Sequence, residues 1–183
     1  MGARLHPYVR EAEPMTLPFP SPTVPAVDRT EVFLRYLDYY RDVVITKVAA
    51  LPADSLRSSV LPSGWTPLEL VKHLRFVEMR WIYWGFEGHP VDEPWADHRD
   101  ERWYVEPSES SDDLLAALRG QGAYTSGVVL GHALSDVGAP GPRWDGAEPA
   151  PLERVLFHLL QEYARHAGHL DIVAELTGGP VGE

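Results

Sequence analysis

The sequence predicts an all-α protein, a four-helix bundle with a long connection between its second and third helices. Two observations carry that prediction. Four long segments repeat their apolar residues at helical spacing, and a polar stretch containing aromatic residues separates the second from the third. No alternating strand pattern and no internal repeat competes with this reading. With 183 residues and 44% hydrophobic content, the chain is large enough for one core. The expected organisation is a proline-rich tail over residues 1–29 and a helical domain over residues 30–183.

The first helix, "TEVFLRYLDYYRDVVITKVAAL", spans about Thr30 to Leu51 and places Val32, Leu37, Tyr40, Val44 and Val48 near one face. Pro52 stops it, having no backbone N–H to donate. The second starts in "WTPLELVKHLRFVEMRWIYWGFEG". There Thr66 can cap, Pro67 suits the first helical position and Glu69 completes a capping box; Gly88 and Pro90 end the helix. The connection "HPVDEPWADHRDERWYVEPS" follows. A third helix begins near "SESSDDLLAAL" and runs to about Leu134, weakened by Gly120, Gly122, Gly127 and Gly131. The last spans about Pro151 to Thr177 and closes on Gly178 and Gly179.

Composition removes several classes of function. A net charge of -11 argues against binding a phosphate backbone, so nucleic acid is not an expected partner. The sequence has no cysteine, which excludes thiolate ligands and a cysteine nucleophile, so any metal must be held by nitrogen and oxygen. Neither a membrane span nor a secretory leader is legible, and the expected location is the cytoplasm. The absence of asparagine and the scarcity of lysine suggest a GC-rich bacterial genome. Metalloprotease, nucleophile-elbow, phosphate-loop and dinucleotide motifs are all missing.

The last helix carries the informative pattern. Leu152, Val155, Leu159, Tyr163, His166, Leu170 and Val173 share a stripe, which puts a histidine on the apolar face. Glu162, one turn earlier, sits near the stripe's edge, and residues four apart project side by side. On the second helix Leu70, Leu74, Val77, Trp81 and Trp84 form the apolar face, with His73 at its margin. His73, Glu162 and His166 could therefore meet between helices as two imidazoles and a carboxylate with open coordination positions. By spacing alone, an inward histidine is more often an ordinary hydrogen-bonded core residue than a ligand. His169 competes with Glu162 as a ligand, while His158 falls towards the surface. Arg165, Tyr163, Asp38, Tyr39 and Tyr40 could approach such a pocket but need no function to explain them. Trp81 and Trp84 could line it, and Trp95 and Trp103 could form a lid or a dimer contact.

"SGWTPLELVKHLRFVEMRWIYWGF" followed by "PLERVLFHLLQEYARHAGHLDIVAELTGG" resembles the DinB-like superfamily of metal-binding four-helix bundles, over roughly residues 30 to 179. The resemblance is to a branch of unassigned function, related to mycothiol- and bacillithiol-dependent transferases. It implies a divalent metal on His73, Glu162 and His166, with zinc first and nickel, iron or manganese as the others. Many members have histidine where Glu162 stands; the carboxylate resembles mycothiol-dependent maleylpyruvate isomerases. The implied activity is transfer of a low-molecular-weight thiol, such as mycothiol, to electrophilic small molecules. The alternatives are metal-assisted hydrolysis and a non-catalytic metal- or ligand-binding bundle of a stress response. The partner is a small-molecule substrate, with a homodimer plausible and no membrane.

Overall fold

The protein is described here by a computed structural model covering residues 17–179. Four helices dominate: α1 (Arg29–Ala50), α2 (Pro67–Met79), α3 (Ser111–Gly131) and α4 (Leu152–Thr177). Asp28 caps α1 by accepting the Glu31 N–H, and Leu51 is already extended before Pro52. The capping box of α2 is complete, with Thr66 accepting the Glu69 N–H and Glu69 accepting the Thr66 N–H. Gly178, at φ 73°, closes α4 in the left-handed region that a side chain would disfavour.

Five details depart from the sequence reading. Helix α2 continues into a π-helical segment, Arg80–Phe86, in which each turn holds an extra residue. Extrapolating a 100° step through it misplaces Trp81 and Trp84, which are half-buried, whereas Ile82 and Phe86 are buried. Val32 is 40% exposed to solvent and faces tail residues Pro20, Pro22 and Pro25 rather than the bundle. Helix α3 stops at Gly131, short of Leu134. The carbonyls of Leu134 and Asp136 instead accept N–H groups of Glu153 and Leu152, both at 2.9 Å, satisfying the start of α4 where Pro151 offers no side-chain cap.

The segment between the second and third helices also contains a hairpin, β1 (His98–Arg99) paired antiparallel with β2 (Arg102–Trp103). Asp100 and Glu101 turn it with φ of 51° and 60°, the primed-turn geometry that matches strand twist. Two-residue strands are too short to show alternation, so no sequence pattern announced them. The fifth departure concerns the predicted tail. Its described part lies along α1, with the Phe19 ring edge-on to Tyr36 and Tyr39 and the Leu17 N–H donated to Asp42 at 2.9 Å. Its residues 1–16 lie outside the described residues.

The core runs between the helices through Leu37, Val44, Leu70, Leu74, Leu118 and Leu159, all fully buried. At its centre one side chain from each helix joins a polar knot. Glu78 of α2 accepts from Arg41 of α1 at 2.9 Å, from Thr125 of α3 at 2.6 Å and from Tyr163 of α4. No described helix is long and apolar enough to cross a membrane.

Candidate metal centre

Helix α2 presents His73 and helix α4 presents Glu162 and His166 to a common point. His166 Nε2 lies 3.2 Å from Glu162 Oε2, and His73 Nε2 lies 4.0 Å from the same oxygen. One ligand atom from each of the three residues falls within 4.8 Å of the others. The group opens into a cavity of about 490 Å³, walled also by Trp65, Trp103, Val77 and Arg165. The Trp103 ring stacks on His73 at 4.2 Å and 22°, so the hairpin forms the wall beside the cluster.

Each histidine is held from behind. His73 Nδ1 is 3.2 Å from Asp97 Oδ2, leaving Nε2 turned to the cluster. Asp97 is fully buried and accepts from Arg80 at 2.7 and 3.2 Å. Burial would raise its pKa, but hydrogen bonds from His73 and Arg80 and the Arg80 charge hold it well below the usual carboxylate range. His98 Nδ1 approaches the same carboxylate at 3.0 Å, so His73, Asp97 and His98 form a second close group. Because Asp97 is already committed to Arg80, that group reads as support for His73. His166 Nδ1 meets His169 Nδ1 at 3.3 Å. His169 thus stands behind His166, on the ring edge opposite Glu162, and outside the three-residue cluster.

The protonation states agree with this arrangement. Burial keeps His73 below the usual imidazole range despite Asp97, and burial lowers His169 as well, helped by His166 and Arg165. The hydrogen bond from His166 lowers Glu162 against the effect of burial. An uncharged His73 beside an ionised Glu162 is the form in which each donates an electron pair to a cation.

The other candidates separate cleanly. Arg165 lines the cavity. Tyr163 instead points into the polar knot, and Asp38 pairs with Arg41 at 2.6 Å. Tyr39 and Tyr40 contact each other edge-on at 5.3 Å, away from the cavity lining. Trp81 and Trp84 do not line it; Trp81 packs on Trp144 and on His158, whose Nε2 stays 3.8 Å from Glu162 Oε1. Trp95 lies over Arg80 at 4.2 Å. Sequence reasoning missed Asp97, His98 and Trp65, all outside helices, where a helical wheel says nothing. The density of acids and histidine in "WADHRDERW" was the available signal.

A family model described as mycothiol-S-transferase matches residues 32–179. The chain belongs to this family. Membership also places it in the DinB-like superfamily. No curated protein and no solved structure matches the chain significantly. In this mycothiol-S-transferase family member, the match runs from the first turn of α1 to the residue after the α4 cap and so spans both helices that carry the cluster, α2 and α4.

Proposed function

We propose that the protein is a metal-dependent S-transferase that joins a mycothiol-like thiol to an electrophilic small molecule. The observation that carries this reading is the convergence of His73, Glu162 and His166 within 4.8 Å at the base of an open cavity, in a chain of the mycothiol-S-transferase family. The donor set fits a divalent ion: two imidazole nitrogens and one carboxylate suit zinc, nickel, iron or manganese, with zinc first. Asp97 behind His73 is the carboxylate partner that metal-ligating histidines characteristically have. A bound divalent ion supplies a Lewis acid that lowers the pKa of a coordinated thiol, giving a thiolate near neutral pH.

The chain's own residues do the rest. His73, Glu162 and His166 hold the ion, and Asp97 and His169 orient the two imidazoles. Trp65 and Trp103 shield one side of the cavity from water and offer flat faces to a substrate. The nucleophilic sulfur comes from the cosubstrate, because the chain has no cysteine. The protein then works on small molecules as a bundle domain over residues 30–183, in the cytoplasm, without a nucleic-acid or membrane partner.

The first test is the metal content of protein purified without a histidine tag. Near-stoichiometric metal in wild type, lost in His73→Ala and His166→Ala, supports the site. A folded wild type that stays metal-free after incubation with zinc, nickel, iron and manganese removes the basis of the mechanism. Product formation that requires mycothiol as well as metal separates transfer from hydrolysis, which needs only water.

A further inference from the structure

The cavity wall carries one cation that the proposed chemistry leaves unused. Arg165 lines the cavity one turn beyond Glu162 and one turn before His169, with its residue exposed to solvent. Among the described residues it makes no hydrogen bond and no ion pair, not even with Glu162 on the same helix face. Arg80 is bound to Asp97, Arg41 to Glu78 and Asp38, and Arg99 to Glu106; Arg75, Arg102, Arg119 and Arg154 are unpaired among the described residues as Arg165 is, but Arg165 is the arginine that lines this cavity. The remaining lining is aromatic, apolar, hydroxyl or imidazole, and the one carboxylate, Glu162, belongs to the metal cluster.

Chemistry follows from that placement. A guanidinium with an open face binds a carboxylate in paired, charge-assisted hydrogen bonds. Against a net charge of -11 over the chain, a lone unpaired cation beside the reacting centre is the feature that draws an anion inward. We propose that Arg165 is a specificity-determining residue that receives the carboxylate of an anionic electrophile, fixing its reactive carbon over the metal cluster. This rests on the transferase reading above. The carboxylate is assigned to the electrophile because mycothiol, whose cysteinyl carboxyl is tied up in an amide, brings none. The flat walls of Trp65 and Trp103, whose ring centres are 6.2 Å apart, would hold the electrophile's unsaturated or apolar body.

Iodoacetate and iodoacetamide form a matched pair that differs in charge. With either, the mycothiol sulfur bonds to the methylene carbon, the carbon–iodine bond breaks, iodide leaves with the electron pair and the thiol proton passes to solvent. The measurement is the ratio of kcat/KM for iodoacetate to that for iodoacetamide, each normalised to its uncatalysed reaction with mycothiol, in metal-loaded wild type, Arg165→Met and Arg165→Lys. The ratio should fall about tenfold in Arg165→Met, the low end for a hydrogen-bonded charge pair at an exposed site, and recover in part in Arg165→Lys. An unchanged ratio in Arg165→Met overturns the assignment while leaving the transferase reading intact.

A binding experiment keeps the two readings separable. S-carboxymethyl and S-carbamoylmethyl mycothiol, the two products, are titrated calorimetrically into the same three proteins. Tighter binding of the carboxylate product to wild type, lost in Arg165→Met, supports the assignment even if neither electrophile turns over, in which case the transferase reading alone fails. Equal affinities in wild type overturn it.

Discussion

His73 meets the cavity with one ring nitrogen and the interior with the other, and the difference between those two edges decides whether it can hold a metal. Asp97 accepts at Nδ1, so the proton belongs there and the Nε2 lone pair faces Glu162 and His166. Asp97→Asn keeps the shape but not the acceptor, because Arg80 claims the amide oxygen and the amide N–H₂ turns to His73. Metal affinity should then fall about ten- to a hundredfold, read by competition with a chelator. Wild-type affinity in this variant would show that Asp97 does not orient the ligand. The same carboxylate has an acid signature. Its folded pKa lies below its unfolded one, so its stabilisation is complete above about pH 4 and is lost as pH falls from there towards the depressed folded value. The stability advantage of wild type over Asp97→Asn in urea should accordingly be larger at about pH 7 than at about pH 3.

At the scale of one element, α3 shows how a weak helix former is kept. Its glycines lower intrinsic propensity, yet they are not equivalent. A methyl group at Gly122 would overlap the Arg41 guanidinium arm, whereas Gly120 and Gly127 have open space where a Cβ would go. Gly122 is therefore the price of bringing α3 close to the buried Arg41–Glu78 pair. Alanine at position 120 or 127 should raise stability by about 0.5–1 kcal/mol each, and Gly122→Ala should lower it despite the same gain in propensity. Urea midpoints of the three variants check this, and a stabilised Gly122→Ala would mean that Arg41 moves aside freely. The π-helical segment acts at the same scale. It begins at Arg80, directly after the α2 turn that carries Glu78, and so aims one guanidinium at Asp97 while Ile82 and Phe86 stay in the core.

Across the whole molecule, the four helices are joined at Glu78 by Arg41, Thr125 and Tyr163. Burying this carboxylate is costly, but removing it leaves the buried Arg41 charge with the half-exposed Asp38 as its remaining carboxylate partner, which costs more. Glu78→Ala should lose about 3–5 kcal/mol in equilibrium unfolding, and Glu78→Gln less, since the amide oxygen can still accept from Arg41 and Tyr163. A fully stable Glu78→Ala would show that apolar packing alone sets the bundle. Apolar periodicity was enough to reveal the four helices, and the caps at Thr66 and Gly178 marked ends, because helix formation depends on neighbours three or four residues away. The same short-range rule placed His166 and Glu162 together and brought His73 to the margin of its face. It could not find Asp97, Trp65 or the hairpin, which reach the site from segments without a period. Nor could it place Val32 or Trp81, whose surroundings depend on a tail packed along α1 and on a π-turn. What the chain's own order determined is the local part: which segments are helical, and which side chains share a face. What only the tertiary structure decided is which nitrogen of each histidine faces the cavity, what stands behind it and which unpaired arginine lines it, because hydrogen bonds and burial are made between residues that the sequence keeps far apart.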